Sequence, residues 1–99
     1  MFFATLSLSA LVSGLDGAGS EKRQAQNFIK IEVQHMIDAE REAKTAPKVW
    51  YACMAEINGS KVLEREVLRL YREEENARIM RPEELVRTAV EGFCEDALY

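Results

Sequence analysis

Two cysteines are the residues of this sequence whose chemistry is easiest to interpret. Cys53 and Cys94 lie on two different predicted helices, each at the edge of an apolar stripe. They form no Cys-x-x-Cys motif, so their spacing does not favour a catalytic redox role. In an exported protein such a pair is typical of a disulfide, whereas in the cytosol the same residues would be two buried free thiols. The pair therefore predicts a Cys53–Cys94 disulfide, provided that the chain is exported.

The single histidine is the next candidate for chemistry. His35, Asp38 and Glu42 share one helical face at spacings i, i+3 and i+7, and an imidazole beside carboxylates can bind a metal or act as a general base. The sequence marks no partner residue for either role, and a solvated surface histidine is the simpler interpretation. The sequence also contains no nucleophile elbow and no phosphate-binding loop. We therefore expect no catalytic residues, no metal and no cofactor, and a protein that is not an enzyme.

An aromatic pair supplies the candidate site for a protein partner. Trp50 and Tyr51 are neighbours on a short predicted helix, where adjacent side chains do not share a direction. If Trp50 faces the core, Tyr51 faces partly outward, and an exposed aromatic beside Met54 would suit the centre of a protein interface. The alternative is that all three are core or boundary residues of a small bundle.

The net charge and the distribution of charged residues bear on which classes of partner the chain can bind. The chain has 13 basic and 17 acidic residues and a net charge of -4, which argues against a nucleic-acid binder. Arg65, Arg69 and Arg72 form a stripe, but neighbouring glutamates cancel most of its field beyond about 10 Å. The stripe is predicted to be a solvated helix face.

Residues 1–20 differ in composition from the rest of the chain. Their only charged residue is Asp16, and an apolar run ending at Leu15 precedes the small residues Gly17-Ala18-Gly19-Ser20. This layout predicts a secretory signal peptide cleaved after Ser20, which would leave residues 21–99 as a single domain without stable membrane insertion. No basic residue precedes the apolar run, and the alternative is an N-terminal strand or helix that packs on the core. The protein is expected to be periplasmic or secreted if the leader is cleaved, and cytoplasmic otherwise.

Apolar periodicity predicts helices for the rest of the chain. The first runs from Glu21 to Lys44, capped by Ser20, although residues 29–34 also alternate as a strand would. A second helix starts near Pro47. Ser60 caps a third helix that fades near residues 79–81, and Pro82 opens a fourth.

The predicted fold is therefore an all-α bundle of three to four helices. A competing α+β fold would place a hairpin at Asn58-Gly59, the strongest two-residue hairpin signal. In the helical alternative, Gly59 ends a helix in the left-handed conformation. The disulfide would hold the last helix beside the one that carries Cys53.

The function expected from these features is a non-catalytic protein-binding or structural module. An acid-stress chaperone of the holdase type is the alternative, because acid would leave 13 basic residues and His35 to repel one another. A small hydrolase is a lesser alternative that would require His35 to lie within hydrogen-bond distance of a serine or a carboxylate. The partner's identity and the oligomeric state do not follow from the sequence.

Overall fold

The computed structural model describes residues 6–43 and 48–95. Over these residues all regular secondary structure is helical, without a strand, and the all-α prediction is confirmed. The elements in order are α1 (Leu8–Asp16), α2 (Gly19–Ala43), α3 (Lys48–Ile57), α4 (Lys61–Glu73), a 3₁₀ helix (Glu75–Ile79) and α5 (Pro82–Cys94). The predicted start of a helix at Pro47 and the start of the apolar run at Phe2 lie outside the described residues.

The central helix is α2, which contacts α1, α3 and α5. Its buried residues recur every fourth position: Ala25, Ile29, Val33 and Ile37. Ile31, which a strand would place on the same face as Ile29, is 55% exposed. The helical period therefore applies across residues 29–34, and the strand-like alternation there has no structural counterpart.

The turn between α3 and α4 is a helix end and not a hairpin. Gly59 has φ +80°, the left-handed conformation that glycine adopts without strain. The Ser60 Oγ atom then accepts a hydrogen bond from the backbone N–H of Leu63 at 3.2 Å. The expected cap at Ser60 is confirmed, and the alternative hairpin at Asn58-Gly59 is wrong because α4 begins directly after the cap.

Two helix boundaries differ from those expected. The predicted cap at Ser20 is wrong, since α2 already begins at Gly19 and Ser20 lies in its first turn. α4 ends at Glu73, several residues before residues 79–81. The reason is Arg78, whose Nε donates to the Tyr71 carbonyl at 3.1 Å and whose Nη2 donates to the Arg72 carbonyl at 2.8 Å. These contacts satisfy carbonyls that the end of α4 leaves open, so the chain turns into the 3₁₀ helix.

The disulfide links α3 to the end of α5, as predicted. Cys53 and Cys94 are bonded, and their Cα atoms are 5.8 Å apart. α5 packs against α2, α3 and α4, and it buries Leu85, Val86, Ala89, Val90 and Cys94. The last helix therefore lies beside the helix that carries Cys53.

The segment predicted to be a leader forms a helix on the core. Ser7 caps α1 through its Oγ, which accepts from the Ala10 N–H at 3.1 Å. The helix buries Leu11, Gly14 and Leu15 against the rest of the chain. This packing agrees with the alternative of an N-terminal helix, while cleavage after Ser20 stays a prediction. None of the helices in the described ranges combines the length and the apolar character needed to cross a bilayer.

Candidate functional site

The three residues expected to bind a partner lie mainly in the core. Trp50 is 7% exposed and Met54 is fully buried, because their i, i+4 spacing directs both side chains to the inner face of α3. Tyr51 is half-buried, and its hydroxyl donates to the Glu40 carbonyl of α2 at 2.8 Å. Trp50 and Met54 pack inward and Tyr51 ties α3 to α2, which agrees with the alternative that all three are core or boundary residues. Binding of a partner by these residues stays a prediction.

His35 lies on the outer face of α2 with its side chain 60% exposed. Its Nδ1 is 4.0 Å from Glu32 Oε1, which is longer than a hydrogen bond. Asp38, predicted to share its face, accepts a hydrogen bond from Gln34 at 3.0 Å. Within residues 6–43 and 48–95, no three side chains of the His, Cys, Asp or Glu type are grouped to hold a metal ion.

A shallow cleft lies on the outer face of α4. Its volume is about 190 Å³, and it is lined by Arg65, Leu68, Arg69, Arg72 and Glu73. The i, i+4 and i+7 spacing of the three arginines places them along one side of the helix. Leu68 is half-buried and adds an apolar patch between the guanidinium groups.

Arg69, at the middle of this cleft, is held by two glutamates. Its Nε donates to both carboxylate oxygens of Glu66 at 3.0 and 3.1 Å, and its Nη1 donates to Glu73 at 2.7 Å. These hydrogen bonds raise the pKa of Arg69 further above its usual range, and the bond with Glu66 has the larger effect. The two glutamates fix the orientation of the guanidinium group.

The other two arginines differ in their contacts. Arg72 donates through Nη2 to both carboxylate oxygens of Asp16 at 2.8 and 3.0 Å, which connects α4 to the end of α1. Arg65 is exposed. No hydrogen bond or ion pair joins Arg65 to another residue in the parts of the chain that the structure describes. The cleft thus offers one open guanidinium group and one whose partner belongs to a separate helix.

This arrangement can bind a carboxylate, but its field at long range is weak. The positive charges of Arg65, Arg69 and Arg72 are opposed by Glu66, Glu73 and Asp16, so attraction depends on short hydrogen bonds. The sequence indicated the arginine stripe but not the contact of Asp16, which lies 56 positions from Arg72. The one feature of the sequence that could have indicated this contact is that Asp16 is the sole charged residue among residues 1–20.

Comparison of the chain with protein-family models, curated proteins and solved structures gives no match.

Proposed function

We propose that this chain is a non-catalytic protein-binding module, and that it holds an acidic segment of a partner protein on the outer face of α4. The observation that carries the proposal is the cleft that combines Arg65, Arg69 and Arg72 with the half-buried side chain of Leu68. Arginine presents a planar pair of donors that matches a carboxylate, and it is enriched at the energetic centres of protein interfaces.

The contacts around the cleft favour recognition at short range. Glu66 and Glu73 hold the Arg69 guanidinium in place before a partner arrives, so less conformational entropy is lost on binding. The open guanidinium of Arg65 supplies hydrogen bonds to a new carboxylate, and Leu68 supplies an apolar contact. A segment with one or two acidic residues beside an apolar residue fits this cleft better than a polyanion, because the nearby acidic side chains repel an extended negative charge.

The disulfide supports a location outside the cytosol for this binding. The Cys53–Cys94 bond persists in oxidising compartments and is rare where thiols are kept reduced. Periplasmic or secreted binding therefore agrees with the leader that the sequence predicts. The partner class that fits both features is an exported protein with an acidic, partly apolar segment.

The test compares two arginine neutralisations on the intact chain. Arg65→Gln removes the open guanidinium of the cleft, whereas Arg87→Gln makes the same change at an exposed position on α5. Tagged chains are used to capture partners from the exported fraction of the source organism, and the affinity for the partner recovered in stoichiometric amount is measured at about 0.15 M salt. Because a charged hydrogen bond contributes about 1.5–3 kcal/mol, we expect Arg65→Gln to weaken binding about tenfold or more and Arg87→Gln to leave it unchanged. Equal binding by both variants, or the absence of any stoichiometric partner, would contradict the proposal.

A further inference from the structure

The two residues of the disulfide differ in their access to solvent. Cys53 is half-buried, whereas Cys94 is fully buried and belongs to the core. A disulfide is broken by a thiolate that attacks one sulfur and displaces the other, so the access to each sulfur decides which of them is attacked. This difference in burial favours attack on the Cys53 side of the bond.

The position of Cys53 on α3 explains its access. Trp50 and Glu56 are its helical neighbours, three positions away on either side. Trp50 belongs to the core and Glu56 is exposed, so Cys53 lies at the boundary between the inner and the outer face of α3. Ala52, which precedes it, is exposed and carries only a methyl group. No large side chain at that position shields the bond.

Cys94 lies in surroundings that disfavour a negative charge. It is the last residue of α5, and Val90, one turn earlier on the same face, is also fully buried. A thiolate at Cys94 would be desolvated by these apolar surroundings and would face the negative end of the helix dipole. The exposed carboxylates of Glu91 and Glu95 on either side would repel it further. Displacement of the Cys94 sulfur is therefore slow.

We propose that Cys53 is the site at which a small-molecule thiol attacks this disulfide in the folded protein. The thiolate forms a new S–S bond with Cys53 Sγ while the Cys53–Cys94 bond breaks. The electron pair of the broken bond goes to Cys94 Sγ, which then takes a proton from water. The product is a mixed disulfide at Cys53 and a free thiol at Cys94, and no further oxidant or reductant is consumed.

Cys94 is then the residue that reverses the reaction. α5 packs against α2, α3 and α4, and this packing keeps Cys94 beside Cys53 after the bond has opened. A thiol held in place in this way competes at high effective concentration. The Cys94 thiolate attacks Cys53 Sγ, restores the original bond and releases the small thiol. The inference goes beyond the proposed function and does not depend on the binding of an acidic segment.

The test uses the unaltered, oxidised chain in a redox buffer of β-mercaptoethanol and its disulfide. This thiol is neutral, so the carboxylates of Glu56, Glu91 and Glu95 do not repel its uncharged form. Samples are quenched in acid at intervals and unfolded, free thiols are blocked with methyl methanethiosulfonate, and mass spectrometry of proteolytic peptides locates the adduct. We expect the adduct at Cys53 to exceed the adduct at Cys94 at least about tenfold, because access selects the sulfur that is attacked.

The same reaction in concentrated urea is the matched control. Both cysteines reach solvent in the unfolded chain, so the two adducts are expected in similar amounts and at least about tenfold faster than in native buffer. The inference would be overturned if the native protein carried as much adduct at Cys94 as at Cys53, or if the rates in the two buffers were equal. The lack of any adduct in native buffer would also overturn it, because Cys53 would then be closed to thiols. No partner protein is used, so these outcomes are independent of the Arg65→Gln result that tests the proposed function.

Discussion

Cys53 on α3 and Cys94 on the last turn of α5 are bonded to each other across 41 positions of sequence, with their Cα atoms 5.8 Å apart. This separation is within the usual range for a disulfide, so the two helices meet at the bond without displacement. The loop that it closes contains α4 and the 3₁₀ helix. One covalent bond thus restrains the part of the chain that forms the proposed binding face.

Reduction of this disulfide should lower the free energy of unfolding by about 4 kcal/mol, because closing a 41-residue loop removes that much conformational entropy from the unfolded chain. Urea titrations followed by circular dichroism, with and without reductant, measure the change. The double variant Cys53→Ala/Cys94→Ala is the control and should not respond to reductant. An unchanged midpoint for the unaltered chain after complete reduction would contradict the expected role of the bond.

Loss of the Ser60 cap should destabilise the protein. Ser60→Ala removes the hydroxyl that accepts from the Leu63 N–H, and the expected cost is about 1 kcal/mol. Ser20→Ala is the matched control, since Ser20 is exposed in the first turn of α2 and does not cap it. Thermal unfolding of the two variants should therefore differ, and a similar loss in both would show that the cap is not the cause.

The early end of α4 predicts a separate effect at Arg78. Arg78→Ala removes two hydrogen bonds to the carbonyls of Tyr71 and Arg72, each of which contributes about 0.5–1.5 kcal/mol. We expect a total loss of about 1–2 kcal/mol in urea unfolding, since the contacts are exposed. Arg87→Ala, at an exposed position of α5, should change the stability by less than about 0.5 kcal/mol. A loss at Arg87 as large as that at Arg78 would indicate a general charge effect instead.

Local patterns were sufficient to predict α2 to α5 and one cap, but not the contacts that join distant segments. The periodicity that buries Leu63 and Val67 is a property of neighbouring residues, and so is the hydrogen bond of Ser60. The end of α4 depends on Arg78 folding back from the following 3₁₀ helix, and no spacing rule covers such a return. The Asp16–Arg72 pair depends on how α1 and α4 pack, which is a tertiary property.

The same limit applies to the predicted binding residues. Adjacent positions on a helix indicated that Trp50 and Tyr51 point in different directions, but which of them faces α2 was not encoded locally. Tyr51 lies toward α2 and bonds to the Glu40 carbonyl, while Trp50 and Met54 complete the core. The short apolar helix α3 has too few polar positions for its exposed side to be identified from the pattern alone.

The stability of the fold in acid distinguishes the binding module from the alternative of an acid-activated holdase. The described ion pairs of Asp16 with Arg72 and of Glu66 and Glu73 with Arg69 join side chains that are partly exposed, so each contributes little to the free energy of unfolding. Hydrogen bonds with Glu66 and Glu73 raise the pKa of Arg69, so its guanidinium stays charged in acid. Among the described residues the buried set is entirely apolar, and a core of this kind loses no charge interactions in acid.

We therefore expect the near-ultraviolet circular dichroism of the oxidised chain to persist at about pH 3 in about 0.15 M salt, where screening limits repulsion between its basic residues. Binding of the dye ANS should stay at its neutral-pH level. The reduced chain is the comparison, since loss of about 4 kcal/mol should allow the same acid to unfold it. The holdase would be supported instead if the oxidised chain lost its near-ultraviolet signal, bound ANS and suppressed client aggregation. A holdase needs exposed apolar surface, and this fold encloses its apolar side chains until the packing is lost.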